Sequence, residues 1–274
     1  MTRPKILLTN DDGVRADGLG MLASRLADLG EVWVVAPDRE RSATGHAFTL
    51  HEPLRAAPVA PRWFAVSGTP ADCVYLGVLE LCRDASLVVS GINHGYNLGA
   101  DVFYSGTVAG AVEAALRGVP AIAVSAGNGP GGFDFAAAAH LAHALAHAVL
   151  SEGLPPQTLL NVNLPPQGAP SLSGGPTRGY TWTRLGRRVY RDHVDSRTDP
   201  RGNTYYWIGG AAAPGADEPG TDLHAVHGGV SSVTPLGLDL THGELLRRLP
   251  AWRLAGFEAI TAAEAEPVLP PTSA

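Results

Sequence analysis

The sequence predicts an α/β protein built on a doubly wound, mostly parallel sheet, with a C-terminal β-hairpin arm. Three observations carry this. Short aliphatic runs alternate with leucine or alanine stripes at helical spacing up to about residue 163, and strands apolar on both faces suit a parallel sheet covered by helices. Clusters of Gly, Asn, Asp and Ser separate the runs as turns do. After Pro165 the alternation stops, and short strand-like pieces take its place.

Ile6–Thr9 is the first strand, and Leu19, Leu22, Leu26 and Leu29 form a helical stripe ending at Gly30. Val32–Ala36 is the second strand, followed by the polar stretch 37–45. Phe48–Leu50 and Trp63–Val66 read as an added hairpin or edge pair. Thr69-Pro70 supplies an N-cap and a first-turn proline for a helix over Thr69–Leu81. Leu87–Ser90 is a strand leading into a Gly/Asn-rich loop at Gly91–Gly99. Thr107–Arg117 is a helix closed by Gly118, Ala121–Ser125 a strand, Phe135–Leu150 an Ala-rich helix and Leu159–Asn163 a strand. His140, His143 and His147 share one face of that Ala-rich helix, a spacing that suits either a soft metal or an interface stripe. Residues 165–179 form a Gly/Pro/Ser linker. Tyr180–Leu185, Arg188–Asp192, Thr204–Ile208 and Val230–Thr234 read as strands of a projecting appendage, with a Gly/Ala/Pro loop at 209–222. Leu245–Leu254 is a weak helix, and 266–274 a frayed end. The expected division is 1–164 as catalytic core, 165–240 as β-rich oligomerisation arm with return to the core, and 241–274 as helix and tail.

Composition removes several function classes. Across 274 residues the net charge is −6 with no basic block, which disfavours nucleic-acid binding. No apolar run reaches the roughly 18 residues of a membrane span, and the first residues form a strand instead of a signal peptide. Cys73 and Cys82 have neither disulfide-framework nor zinc spacing, so a cytoplasmic location is expected. Lys5 is the one lysine, which leaves phosphate loops and Schiff-base chemistry without a candidate. The turn after the first strand carries no G-x-G-x-x-G, against dinucleotide binding.

Chemistry concentrates in four loops. Asp11 and Asp12 follow the first strand, and adjacent carboxylates at a sheet's carboxyl edge suit a hard divalent cation, Mg2+ or Mn2+. An Asx turn completed by Gly13 is the plainer reading. Ser42 lies in the second loop and Asn93 in the third, so in a parallel sheet their oxygens converge with the two carboxylates, leaving room for water or a substrate oxygen. Ser105-Gly106-Thr107 opens a helix whose first turn has no acid, where free N–H groups attract phosphate. His46 and His94, in the site loops, are either proton donors to a leaving alkoxide or plain loop histidines. Arg39 and Arg41 either steer an anion or form a surface charge cluster.

These residues also carry a resemblance. Thr9-Asn10-Asp11-Asp12-Gly13, the block from Ala36 to Gly45, Gly68-Thr69-Pro70-Ala71-Asp72-Cys73, Ser90-Gly91-Ile92-Asn93 and Ser105-Gly106-Thr107-Val108-Ala109-Gly110-Ala111 resemble, in order, the SurE (survival protein E) family of nucleotidases. The likeness runs from Lys5 to about Pro235 and includes Tyr205-Tyr206-Trp207, departing at the 209–222 loop and the Ala/Pro-rich tail. It implies a 5'/3'-nucleotidase with a Rossmann-like core, a swapped C-terminal arm and one divalent cation per subunit. It places metal ligands on Asp11, Asp12, Ser42 and Asn93, and phosphate contacts on Asn97 and the Ser105, Gly106, Thr107 turn. The expected function is hydrolysis of nucleoside monophosphates by metal-activated water in a homodimer or homotetramer. Two other readings stand beside it: a non-catalytic nucleotide or polyphosphate sensor, and an aspartyl-phosphate phosphatase with Asp11 as nucleophile. The second would ordinarily place another Asp where Gly13 stands.

Overall fold

The computed structural model describes residues 3–166, 169, 179–187, 189–213, 218–249 and 252. In chain order the elements are β1 (Lys5–Thr9), α1 (Asp17–Leu26), β2 (Glu31–Pro37), β3 (Ala56–Ala60), β4 (Trp63–Val66), α2 (Pro70–Leu76), β5 (Ala85–His94), α3 (Gly106–Leu116), β6 (Ala121–Ala126), β7 (Asn128–Gly129), β8 (Gly132–Phe133), α4 (Phe135–Glu152), β9 (Thr158–Leu164), β10 (Tyr180–Trp182), β11 (Val189–Thr198), β12 (Thr204–Ala213), α5 (Asp222–His227), β13 (Ser231–Gly237) and α6 (Gly243–Arg248). Nine strands form one sheet in the order β10-β13-β9-β6-β5-β1-β2-β4-β3. Strands β1, β2, β4, β5, β6 and β9 are parallel to their neighbours among that set, while β13 on β9 and β3 on β4 are antiparallel. The α/β fold class and the mostly parallel sheet follow the sequence expectation.

Helices cover both faces because the central strands β1, β2, β5 and β6 are apolar on both. Leu19, Leu22 and Leu26 of α1 and Leu145 and Val149 of α4 pack on Ile6, Leu8, Val34 and Ile122. Val74 of α2 and Val108, Ala111 and Ala114 of α3 pack on Leu7, Val35, Val88 and Ala121 on the opposite face. Each fully buried leucine or isoleucine contributes on the order of 1.5–3 kcal/mol, so three consecutive aliphatics suffice to hold β1 at the centre. The histidine stripe of α4 meets α1: His143 lies 3.0 Å from the Asp28 carboxylate, and His140 lies 3.2 Å from Arg25.

Four local expectations change. The partner of β4 is β3, not Phe48–Leu50. Asp72 captures that segment by accepting from the Thr49 N–H at 2.9 Å and its hydroxyl at 2.6 Å. Phe48 packs edge-on to Tyr75. Pro58 is tolerated in β3 because β3 is the sheet edge. The helix at Thr69 has the anticipated cap, reinforced by a reciprocal Asp72 bond, but widens into a π-helical turn over Gly77–Leu81. Strand β5 does not stop at Ser90. After an irregularity it continues to His94, pairing Asn93 with Ser125. Finally, Tyr180–Leu185 and Val230–Thr234 are not parts of a projecting appendage. Strands β10 and β13 extend the main sheet beyond β9, with Ser231–Thr234 fully buried.

The projecting element is the β11–β12 hairpin alone, ten residue pairs closed by a turn in which Asp199 accepts from the Arg201 and Asn203 N–H groups. Strand β12 runs on into what reads in sequence as the 209–222 loop. Tyr206, Trp207 and Ile208 are solvent-facing, Ile208 at 90% exposure. Residues Met1–Leu238 form one compact unit and Asp239–Ala274 a second; in the second, α6 runs over Gly243–Arg248, starting before the expected Leu245, while residues 250, 251, 253 and 254 of the expected helix lie outside the described residues. Most of the 165–179 linker and all of the 266–274 tail lie outside the described residues. Among the described residues, no helix is long and apolar enough to cross a membrane.

Candidate active site

The turn after β1 is made by Asn10, whose amide accepts from the Gly13 N–H and donates to the Gly13 carbonyl. Gly13, at φ +101, takes the left-handed conformation the turn needs. The Asx turn and the carboxylate pair thus coexist, since Asn10 does the turning. Asp11 and Asp12 carry no part of that turn and project their charge elsewhere.

Asp11 points inward to the N-terminus of α3. The Thr107 hydroxyl donates to its carboxylate at 2.5 Å. A Cβ at Gly106 would lie 2.9 Å from the Asp11 Cβ and 3.0 Å from its Oδ2. The positive end of the helix therefore faces a carboxylate supplied by another element. Burial pushes the Asp11 carboxyl up to about 6; the Thr107 hydrogen bond opposes this, and the neighbouring Asp12 charge adds to it. Ser105 caps α3 by accepting from the Val108 N–H.

Asp12 points the other way, into an open cleft of about 480 Å3 that it lines with Arg15, Asp17, Glu40, Ser42, Asn93 and His94. Its Oδ1 meets His94 Nδ1 at 2.6 Å. Its Oδ2 is buried with no hydrogen-bond partner. Burial raises this carboxyl too, with His94 pulling it down. The Ser42 hydroxyl, which lines the cleft, donates to Glu40 at 2.7 Å. The Asn93 amide donates to the Gly95 carbonyl. The ring of His94 is walled by Phe133 and Phe135, at 5.0 and 5.2 Å between centroids.

The structure thus brings Asp12, Ser42, Asn93 and His94 to one cleft, and Asp11, Gly106 and Thr107 to one contact, the two groups joined through adjacent Asp11 and Asp12. Asn97 is buried in the loop after β5, its amide nitrogen 2.8 Å from the Ser125 hydroxyl. His46 joins neither group: its Nε2 lies 3.0 Å from buried Glu113, which also holds Arg117. Arg41 turns inward to the Ser67 carbonyl, and its backbone N–H donates to the Asp11 carbonyl, so it anchors the second loop instead of forming a surface charge cluster. Sequence reasoning missed Arg15, Asp17 and Glu40 as cleft residues; no spacing signal marks them.

A hard divalent cation fits these donors. A buried carboxylate oxygen without a partner is costly by about 1–3 kcal/mol or more, and Asp12 presents one beside a second raised carboxyl. The remaining oxygens are a hydroxyl and an amide, the donor set of a hydrated Mg2+ or Mn2+ site. Among the described residues, no group of three or more His, Cys, Asp or Glu side chains is placed to hold a metal ion, so a cation here would draw on the Ser42 hydroxyl and the Asn93 amide as well. The Gly106 contact gives one expected outcome: Gly106→Ala forces Asp11 aside and weakens Mn2+ binding by about tenfold or more in titration calorimetry. Unchanged affinity would show that Asp11 is no ligand or that α3 yields freely.

Comparisons with known proteins agree over most of the chain. The family described as Survival protein SurE matches residues 6–192. A protein of Anaeromyxobacter dehalogenans named "5'-nucleotidase SurE" is 53% identical over 258 residues, covering 93% of this chain and 98% of its own. One of the same name from Geobacter metallireducens is 50% identical over 252 residues, covering 92% and 98%. The crystal structure of SurE protein from Aquifex aeolicus superposes with a TM-score of 0.77 at 42% identity, covering 90% of this chain and 98% of that one.

Proposed function

This chain belongs to the survival protein SurE family and is a 5'-nucleotidase, and from that premise we propose how it works: through one divalent cation per subunit, on nucleoside 3'- as well as 5'-monophosphates. The observation that carries the metal reading is the buried, unpartnered Oδ2 of Asp12, in the cleft lined by Ser42, Asn93 and His94 and adjacent in sequence to Asp11. Asp11, Asp12, Ser42 and Asn93 are the proposed ligands. When bound, the cation supplies charge neutralisation and lowers the pKa of water.

The residues of the chain supply the rest. Thr107 holds Asp11 in one rotamer, and the first turn of α3 with Asn97 offers N–H groups to the phosphate oxygens, where negative charge builds in the transition state. His94, held through Nδ1 by Asp12 and flanked by two phenylalanines, keeps Nε2 for the leaving alkoxide. His46 is bound to Glu113, so the proton-donor role goes to His94. Water attacks phosphorus directly: Gly13 provides no acid two positions after Asp11. Rapid-quench mass spectrometry is therefore expected to find no phosphorylated Asp11; a trapped aspartyl phosphate would overturn this step.

Residues 1–164 are proposed as the catalytic core, 165–240 as the segment that returns to it and carries the oligomerisation arm, and 241–274 as helix and tail. The arm's exposed aromatics support a homodimer or homotetramer, and two buried, unpaired cysteines support a reducing cytoplasmic setting. The deciding experiment is release of inorganic phosphate from a panel of 5'- and 3'-monophosphates with Mn2+ or Mg2+, before and after chelation. Binding of AMP without any phosphate release would favour the sensor reading.

A further inference from the structure

We infer that Asn161 and Asn163 of β9 are positioning residues for the phosphate site, acting through Asn97; this rests on the reading of Asn97 as a phosphate contact. The two asparagines sit at alternate positions of a strand that is buried from Leu159 to Leu164, and both are fully inaccessible. Burying an amide side chain is costly unless its hydrogen bonds are replaced. Here they are spent on a single residue. Asn163 accepts from the Asn97 N–H at 2.8 Å and donates to the Asn97 carbonyl at 3.1 Å. Asn161 donates to the same carbonyl at 2.8 Å.

The grip reaches across the sheet. Asn97 follows β5, and β6 lies between β5 and β9. From β6, Ser125, the register partner of Asn163, accepts from the Asn97 side-chain amide at 2.8 Å. Backbone and side chain of Asn97 are thus each fixed, while its amide nitrogen carries a second hydrogen beyond the one given to Ser125. Stability alone does not account for the arrangement. Asn161 Oδ1 is buried without a partner, so a leucine there would remove an unsatisfied oxygen. What the asparagines provide is a loop residue held to within the tolerance that oxyanion recognition needs.

The test uses the full chain with Mn2+, inorganic phosphate as the probe, and Asn161→Leu, Asn163→Leu and Ser125→Ala, each alone and combined with Asn97→Ala. Three quantities are measured: phosphate affinity by calorimetry and by competitive inhibition of AMP hydrolysis, Mn2+ affinity, and Tm. Each single variant is expected to weaken phosphate binding by about tenfold. Mn2+ affinity should stay within about twofold of wild type, and none should cost anything further in the Asn97→Ala background, because coupled residues are non-additive. Ser125→Ala removes only one oxygen and keeps the test open if a leucine variant does not fold. Phosphate affinity unchanged in folded single variants, or losses that add to that of Asn97→Ala, would overturn the inference. If Asn97→Ala itself leaves phosphate binding intact, the reading of Asn97 fails and the positioning role falls with it, whereas hydrolysis by the wild type would still stand.

Discussion

Replacing Asp11 or Asp12 with asparagine lowers kcat/KM for AMP by about 10²-fold or more, and chelation abolishes turnover until Mn2+ or Mg2+ is restored. Asparagine keeps the shape of either side chain and, at 11, an oxygen for the Thr107 hydroxyl. It removes the charge and exchanges one carboxylate oxygen for an NH2 group, so the thermal melt is needed to separate loss of the cation from loss of the His94 or Thr107 contact. The turn itself survives, because Asn10 and Gly13 make it. Steady-state kinetics with a parallel thermal melt separates the two. Full activity in metal-stripped enzyme, or in either variant, would sink the metal assignment.

Removing the β11–β12 hairpin lowers the oligomeric state while leaving Mn2+ affinity in place. A two-stranded hairpin is marginal in water on its own, yet this one runs for ten pairs and exposes Tyr206, Trp207 and Ile208. Exposed apolar surface of that kind is characteristic of association sites, and an identical arm on a second copy offers a symmetric way to cover it. None of the proposed ligands lies between Val189 and Ala213. Light scattering of the intact and arm-deleted proteins at micromolar concentration decides the matter; an intact, fully active monomer would show that the arm serves some other purpose.

What could be read from sequence was mostly what is local. The cap at Thr69, the Ser105 start of α3 and the leucine stripe of α1 each announce themselves within a turn or two of chain. The errors were set by distant partners. Phe48–Leu50 has a strand's composition, and only Asp72, more than twenty residues on, takes its hydrogen bonds away. β10 and β13 look like the arm's own strands until β13 joins β9 antiparallel and β10 adds to β13 in parallel. At the site, the Asp pair was conspicuous because adjacent acids are rare at a buried turn. The inward turn of Asp11 toward Thr107 was not, since it depends on how α3 docks. His46 and His94 were indistinguishable as loop histidines; their partners, Glu113 and Asp12, separate them. The Asn161–Asn163 pair did leave a trace, two amides in an otherwise apolar strand.

The division of labour at the first turn has an evolutionary side. Since Asn10 and Gly13 make the turn, the two aspartate side chains are left to contacts beyond it, Asp11 to Thr107 and Asp12 to His94. Both carboxyls are raised by burial, and one has an oxygen without a hydrogen-bond partner, so each is costly to the fold. Selection for robustness and selection for turnover therefore pull in opposite directions at positions 11 and 12. A lineage released from the need to hydrolyse its substrate would drift to neutral side chains there first and keep the rest of the scaffold, leaving a binding protein with an enzyme's outline.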